Sequence, residues 1–298
     1  MNKIKIITDS CSDLTVELLE KYDIDYAKMN TVLEGKTSEA LLSWTAQDVK
    51  NFYDIMRMGT RITTTQVPVE EFQRVFTKYL DQNMDIIYIA CSSKQSGSVN
   101  TAAVLAKNEL AAKYPNNKIY CIDSLNASMG EGLLAIEAAK MAAEGKTIEE
   151  INEKILAIRK NVNEYATVHT LEWLRKAGRV KATAAFFGNL MGVKPILIAD
   201  REGNQVGFKK VKGRQTSFNE IVKLMKEALE DPANQTVYLL HGDCPEEEVE
   251  QLKELVQKEI SPKEIYVSFI GPIIGASCGP NVVGLWAWGK EVTYTTGE

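Results

Sequence analysis

Short β-prone runs alternate with helical stretches through the first half of the chain, and that alternation leaves few architectures open. IKII (4–7) precedes a helix beginning near Leu14, DIIYIA (85–90) precedes one near Ser98, and KIYCI (118–122) precedes one near Gly130. Strand and helix in this order build a parallel sheet covered by helices. Two more helices fall between the first two of these units. Thr45 with Asp48 reads as a capping box, and Pro68 suits the first turn of a helix carrying Phe72, Val75 and Phe76. TIEEINEKILAIRK (147–160) is amphipathic, with Ile148, Ile151, Ile155 and Ile158 on one side.

After about residue 161 the pattern changes. YATVHT (165–170), KPILIA (194–199), QVGFKKV (205–211), TVYLLH (236–241), EIYVSFI (264–270) and NVVGLWAW (281–288) read as strands with fewer helices between them. With 298 residues there is chain enough for two cores. The expected fold is α/β in two domains: a doubly wound parallel-sheet domain over 1–161, and an α+β domain with a mixed or antiparallel sheet over 162–298.

Composition removes several functions. The net charge of -5 arises from 35 basic and 40 acidic residues with no basic block, so extended nucleic-acid binding has little support, and only a local basic patch stays open. No apolar run approaches about 18 residues, and MNKIKIITDS lacks the layout of a signal peptide, so the protein is expected to be cytoplasmic. Cys11, Cys91, Cys121, Cys244 and Cys278 are odd in number and form no C-x-x-C, and neither His169 nor His241 sits at ligand spacing from a cysteine. No disulfide framework, metal or other cofactor is expected.

GASCG (275–279) places Gly275, Ser277 and Gly279 in the spacing of a hydrolase nucleophile elbow. An elbow requires a helix directly after the serine, and its histidine follows the serine along the chain. Here Pro280 and a β-prone run follow Ser277, and both histidines precede it. The stretch is expected to be a tight glycine-rich turn between two strands. A Ser277-dependent hydrolase is the weaker enzymatic alternative.

The first domain repeats one feature: a hydroxyl-rich loop entering a helix. The loops are TDSCSD (8–13), TTTQVP (63–68), SSKQSGS (92–98) and DSLNAS (123–128). Loops leaving the carboxyl ends of parallel strands gather along one edge, so several of these should be neighbours. Helix N-termini offer unpaired N–H groups and partial positive charge, which suit a carboxylate or phosphate. The plainer reading is that they are ordinary N-caps, and Asp9 and Asp123 favour it for their own loops. Thr64 and Ser96, without an adjacent acid, are the better anion ligands. No G-x-x-x-x-G-K-[ST] or G-x-G-x-x-G frame is present, and the two glycines of SMGEGLL (128–134) suit close helix packing, so ATP is not an expected ligand.

In order and content, IITDSCSDL, TTTQVPVEEF, SSKQSGSVNTA, IDSLNASMGEGLLA, LEWLRKAGRV, VKPIL and IGPIIGASCGP resemble the DegV family of bacterial lipid-binding proteins over nearly the whole chain. The resemblance implies a two-domain protein that encloses a long-chain fatty acid, with the carboxylate at a polar mouth between the domains and the acyl chain buried. It further implies a non-enzymatic carrier that presents the fatty acid to a separate ATP-dependent kinase for phosphorylation to acyl phosphate. That product feeds phospholipid synthesis, which leaves room for transient membrane contact.

Carried over by motif, the carboxylate ligands fall on Thr64, Ser96 and Ser277, with Thr65, Gly97, Ser98, Gly275 and Ala276 as secondary polar candidates. Arg175 and Arg179, with Arg214, match positions that face the kinase or the phosphoryl group. AAFFGNLMGV (184–193), with Phe186, Phe187, Leu190 and Met191, and the apolar faces of VPVEEFQRVF (67–76) are the candidate acyl-pocket segments, although such residues more often form simple core. Burying about fifteen methylenes supplies roughly 12 kcal/mol of gross driving force, so no covalent link is needed. The family usually has histidine where this chain has Ser277, glycine where it has Asn281, and a second glycine where it has Ala177. Serine keeps a hydrogen-bond donor and loses the charge, so a lipid or anion sensor that does not support phosphorylation is the alternative.

Overall fold

The computed structural model describes residues 2–183, 186 and 192–296. Two units are present, Met1–Ser43 with Thr64–Arg159, and Trp44–Thr63 with Lys160–Glu298. The expected first domain, 1–161, therefore loses a segment to the second unit. The reason lies in Tyr53, which is buried among second-unit groups and donates its hydroxyl to the Ile270 carbonyl at 2.8 Å.

The first unit begins with β1 (Ile4–Asp9), a 3-10 turn (Ser10–Ser12), α1 (Val16–Lys21), β2 (Ile24–Ala27), β3 (Asn30–Leu33) and β4 (Lys36–Glu39). α2 (Ala46–Arg57) lies in the second unit, and the chain re-enters the first along β5 (Ile62–Thr65). Next come α3 (Val69–Leu80), β6 (Asp85–Ala90) and α4 (Ser98–Leu105), which continues through a π-helical turn (Ala106–Leu110) into α5 (Ala111–Lys113). β7 (Ile119–Asp123), α6 (Met129–Ala143) and α7 (Ile148–Ile158) complete the unit.

Its main sheet, ordered β2-β1-β6-β7, is parallel throughout, as the alternation requires. Every residue of β6 is buried, which is why IIYIA (86–90) runs without alternation of apolar and polar residues. A second sheet, ordered β4-β3-β5, is short and polar. The Thr45–Asp48 capping box closes α2, and Thr147 with Glu150 closes α7 in the same way. Gly132 packs α6 onto the turn after β1, where a Cβ would stand 3.0 Å from the Ser12 carbonyl oxygen.

The second unit is built on β8 (Val162–Thr167), α8 (Glu172–Ala177), β9 (Val180–Lys181), β10 (Val193–Ala199), β11 (Gln205–Lys212) and α9 (Arg214–Ala228). β12 (Thr236–His241), α10 (Glu246–Glu259), β13 (Glu264–Phe269), α11 (Pro272–Cys278) and β14 (Val283–Trp288) follow. Seven strands form one mixed sheet, ordered β13-β12-β14-β8-β10-β11-β9. β12 and β13 are parallel around α10, whereas β14, β8 and β10 pair antiparallel. Phe218, Ile221 and Met225 of α9 and Leu252 and Val256 of α10 pack with Leu239 and Leu285 as its core. Among the described residues no helix is long and apolar enough to cross a membrane.

Candidate functional site

The four hydroxyl-rich loops are neighbours within the first unit. Ser92 N donates to the Asn126 carbonyl at 2.8 Å and Ser93 N to Asp123 Oδ1 at 3.2 Å, tying the loop after β6 to the loop after β7. Ser128 Oγ donates to Asp13 Oδ2 at 2.5 Å, tying that loop to the one after β1. Val67 N donates to Ser98 Oγ at 3.2 Å, and Gln66 Nε2 to Thr101 Oγ1 at 2.9 Å, bringing the loop after β5 onto α4.

The loops differ in what already occupies them. Asp9 Oδ1 accepts from Cys11 N at 2.9 Å and Asp123 Oδ1 from Leu125 N at 3.0 Å, so these two loops are closed by their own carboxylates. α4 starts differently. Its N-cap is Gly97, which has no side chain to cap it, its first turn holds no acid, and its first amide, Ser98 N, donates to Ser96 Oγ at 3.3 Å. Ser96 Oγ and Ser98 Oγ stand 2.9 Å apart at that terminus, Ser96 half-buried and Ser98 buried. The hydroxyls and remaining first-turn amides at the positive end of the helix dipole are hydrogen-bond donors that suit an anionic oxygen pair. The Thr64 hydroxyl is half-buried and has no hydrogen-bond partner among the described residues. Thr65 is exposed and accepts from Asn30 Nδ2 at 3.4 Å. Gln66, whose side chain covers Gly97, was not singled out in the sequence because nothing in TTTQVP marks it as a lid on a loop about 30 residues away.

Ser277 belongs to the second unit. The expected turn between strands is instead the short helix α11, with Pro272 in its first turn and Gly279, at φ +79°, ending it. Proline at a helix start and a glycine of positive φ at its end punctuate this helix, and the three glycines concealed it. Ser277 sits in the last turn of this helix, half-buried, whereas an elbow serine precedes its helix. Gly275 and Ala276 are buried in the same helix. Burial lowers His241 to about 4, and burial with the positive charges of Arg214 and Lys194 lowers His169 to about 4, so both imidazoles are neutral at pH 7.

The three arginines are not alike. Arg175 on α8 and Arg179 just beyond it are exposed. Arg214 is mostly enclosed: Nε donates to Glu248 Oε2 at 2.8 Å, Nη2 donates to the Asn281 carbonyl at 2.8 Å, and the guanidinium lies 4.7 Å from the Phe218 ring centroid. Its Nη1 is buried without a partner. Phe186 is buried against Gly207 of β11, with Lys210 Nζ 5.6 Å from its ring centroid. Phe187, Leu190 and Met191 lie outside the described residues.

A family model described as "Uncharacterised protein, DegV family" matches residues 3–290. The chain belongs to the DegV family. A DegV domain-containing protein of Clostridium perfringens is 32% identical over 290 residues, covering 97% of this chain and 98% of that one. The crystal structure of a DegV lipid-binding protein from Thermotoga maritima superposes with a TM-score of 0.83 at 28% identity, over 98% of this chain and all 100% of that one. A structure described as fatty acid binding of a DegV family protein from Thermus thermophilus gives a TM-score of 0.84 at 26% identity, over 97% of this chain and 100% of that one. In this DegV chain, Ala177 lies inside α8 and the left-handed angle falls on Gly178, at φ +70°, so losing the family's other glycine carries no backbone strain.

Proposed function

We propose that this protein binds a long-chain fatty acid and holds its carboxylate at the acid-free start of α4, where Ser96 donates to it with Thr64 from the adjoining loop. The observation that carries this reading is the pairing of an acid-free helix terminus with the Ser96 and Ser98 hydroxyls. Solved DegV relatives described as lipid-binding and fatty-acid-binding support the ligand class. The Ser277 assignment rests on the family motif alone, and no part of this reading depends on it. The bound acid is presented to a separate ATP-dependent kinase, which converts the carboxylate to an acyl phosphate; Arg175 and Arg179, exposed and cationic, suit that partner or the transferred phosphoryl group.

The second reading is a sensor that binds the same acid without supporting phosphorylation. It is favoured by Ser277, which stands where the family usually has histidine. Native mass spectrometry of the purified protein, followed by denaturing extraction, tests the ligand. One long-chain fatty acid per chain is the expected result, and a protein that is empty and takes up no added fatty acid overturns the proposal. Adding the kinase and ATP then separates carrier from sensor by whether acyl phosphate forms.

A further inference from the structure

Cys11 and Cys91 are separated by 80 residues in sequence, yet their sulfur atoms stand 3.2 Å apart within the first unit. Cys11 lies in the 3-10 turn after β1, and Cys91 directly follows β6. Glu131, in the first turn of α6, completes a group whose ligand atoms all lie within 4.8 Å of one another. All three residues are buried, with exposures of 1%, 2% and 0%.

Glu131 is only half satisfied. Its Oε1 accepts from Thr8 Oγ1 at 2.6 Å and from Asp9 N at 3.3 Å, whereas Oε2 is buried with no partner. Neighbouring Asp9 is saturated: Oδ1 takes Cys11 N, and Oδ2 takes the Tyr88 hydroxyl at 2.6 Å and Cys91 N at 3.3 Å. Asp9 thereby fixes the backbone of both cysteines. Among the described residues neither carboxylate has an ion pair.

A buried carboxylate oxygen without a partner is costly and calls for a proton or a cation. A disulfide between the two cysteines would be neutral and would leave Glu131 Oε2 unanswered. A divalent ion answers all three groups together. Calcium and magnesium prefer oxygen ligands, whereas thiolates with one carboxylate suit a borderline-soft ion.

We propose that Cys11 Sγ, Cys91 Sγ and Glu131 Oε2 form a zinc site that pins β1, β6 and α6 together beneath the loops. Tetrahedral bonds of about 2.3 Å place two thiolates roughly 3.8 Å apart, so the sulfurs need to open by about half an ångström. A water completes the fourth position, since both Asp9 oxygens are already taken by N–H and O–H donors. Binding is an exchange of ligands without electron transfer: the two thiols and the carboxyl release three protons and take one Zn²⁺. The site braces the loop from Cys91 toward Ser96, and it stands whether or not the ligand of that loop is a fatty acid.

The test is metal content after purification in chelator-free buffer, followed by stripping the full chain and titrating it with Co²⁺. The expected result is one equivalent of zinc per chain and a saturable thiolate-to-cobalt charge-transfer band that Zn²⁺ abolishes, with the band lost in Cys11→Ser and Cys91→Ser and weakened in Glu131→Gln. Stripped wild-type protein that is folded by circular dichroism and shows no cobalt band overturns the proposal, and this arm does not depend on the variants folding. A chain lighter by two hydrogens, with two thiols unreactive after unfolding, also overturns it in favour of a disulfide.

Discussion

Gly275 and Tyr53 fit together only because Gly275 lacks a side chain: a Cβ there would stand 2.5 Å from the Tyr53 hydroxyl oxygen and 3.0 Å from the ring carbon bearing it. That hydroxyl is in turn donated to the Ile270 carbonyl, one residue before the N-cap of α11. The helix carrying Ser277 is thus seated on a buried tyrosine of α2.

Gly275→Ala should destabilise the protein by about 1–3 kcal/mol, because the added methyl must displace a buried ring. Tyr53→Phe should cost about 1–3 kcal/mol by leaving the Ile270 carbonyl unpaired. The double variant should lose less than the sum of the two, since removing the hydroxyl relieves the alanine clash. Denaturant midpoints of the four proteins measure the coupling, and strictly additive losses would show that the two residues do not meet.

This seat was not legible in the sequence, and the reason is distance along the chain. Tyr53 lies 217 residues from Ile270, in a segment flanked on both sides by first-unit residues, so adjacency assigns it to the wrong domain. The same limit hid Cys11 and Cys91, whose spacing matches no ligand pattern. Where local physics decides, the residues were readable. DIIYIA and TVYLLH are strands over the residues expected, and Thr45 caps α2 with Asp48. The β3–β4 pair escaped notice because Lys36–Glu39 is exposed and carries no alternation of apolar and polar residues. Of the candidate site, the four loops and their clustering were legible, whereas the lid-like Gln66 was not.

Ser96 and Ser98 should separate binding from stability. Ser98 is buried and receives the Val67 N–H, so Ser98→Ala should lower stability by about 1–3 kcal/mol. Thr64→Ala should leave the unfolding midpoint nearly unchanged, Ser96→Ala should cost about 1 kcal/mol for its bonds to Ser98, and both should weaken fatty-acid binding. A hydrogen bond to a carboxylate contributes about 1.5–3 kcal/mol, or roughly 10- to 100-fold in Kd for each hydroxyl. Fluorescent fatty-acid displacement reads the affinities. Wild-type affinity in a folded double variant would remove these hydroxyls from the site.

Ser277→His should restore the family's usual residue on the last turn of α11. If charge at this position serves phosphoryl transfer, the variant should raise acyl phosphate yield in the presence of the kinase and ATP, with fatty-acid affinity unchanged. Imidazole can carry a proton near neutral pH, which a hydroxyl cannot. Radiolabel transfer from ATP measures the yield. Equal yields from both proteins would show that the serine is a neutral replacement.

Glu164 should make stability depend on pH in a direction opposite to most carboxylates. It lies on central strand β8, 6% exposed, with Gln205 Nε2 donating to its Oε1 at 2.8 Å. Burial, partly offset by that hydrogen bond, raises its pKa from 4.5 to about 7. Between those values the unfolded chain releases a proton that the folded chain keeps, so this group's contribution is full below about pH 4.5 and is lost as pH rises through about 7. The shift corresponds to roughly 3 kcal/mol, reached at neutral pH and constant above it. The histidines act with the opposite sign, because their lowered pKa values make stability rise with pH between about 4 and 6.5. Their effect cancels in the difference between wild type and Glu164→Gln, a variant that retains the acceptor for Gln205. Urea midpoints of both proteins from about pH 5 to 8 should therefore show Glu164→Gln gaining steadily on wild type up to about pH 7, and a difference that stays constant across that range would mean that Glu164 does not hold its proton in the folded state.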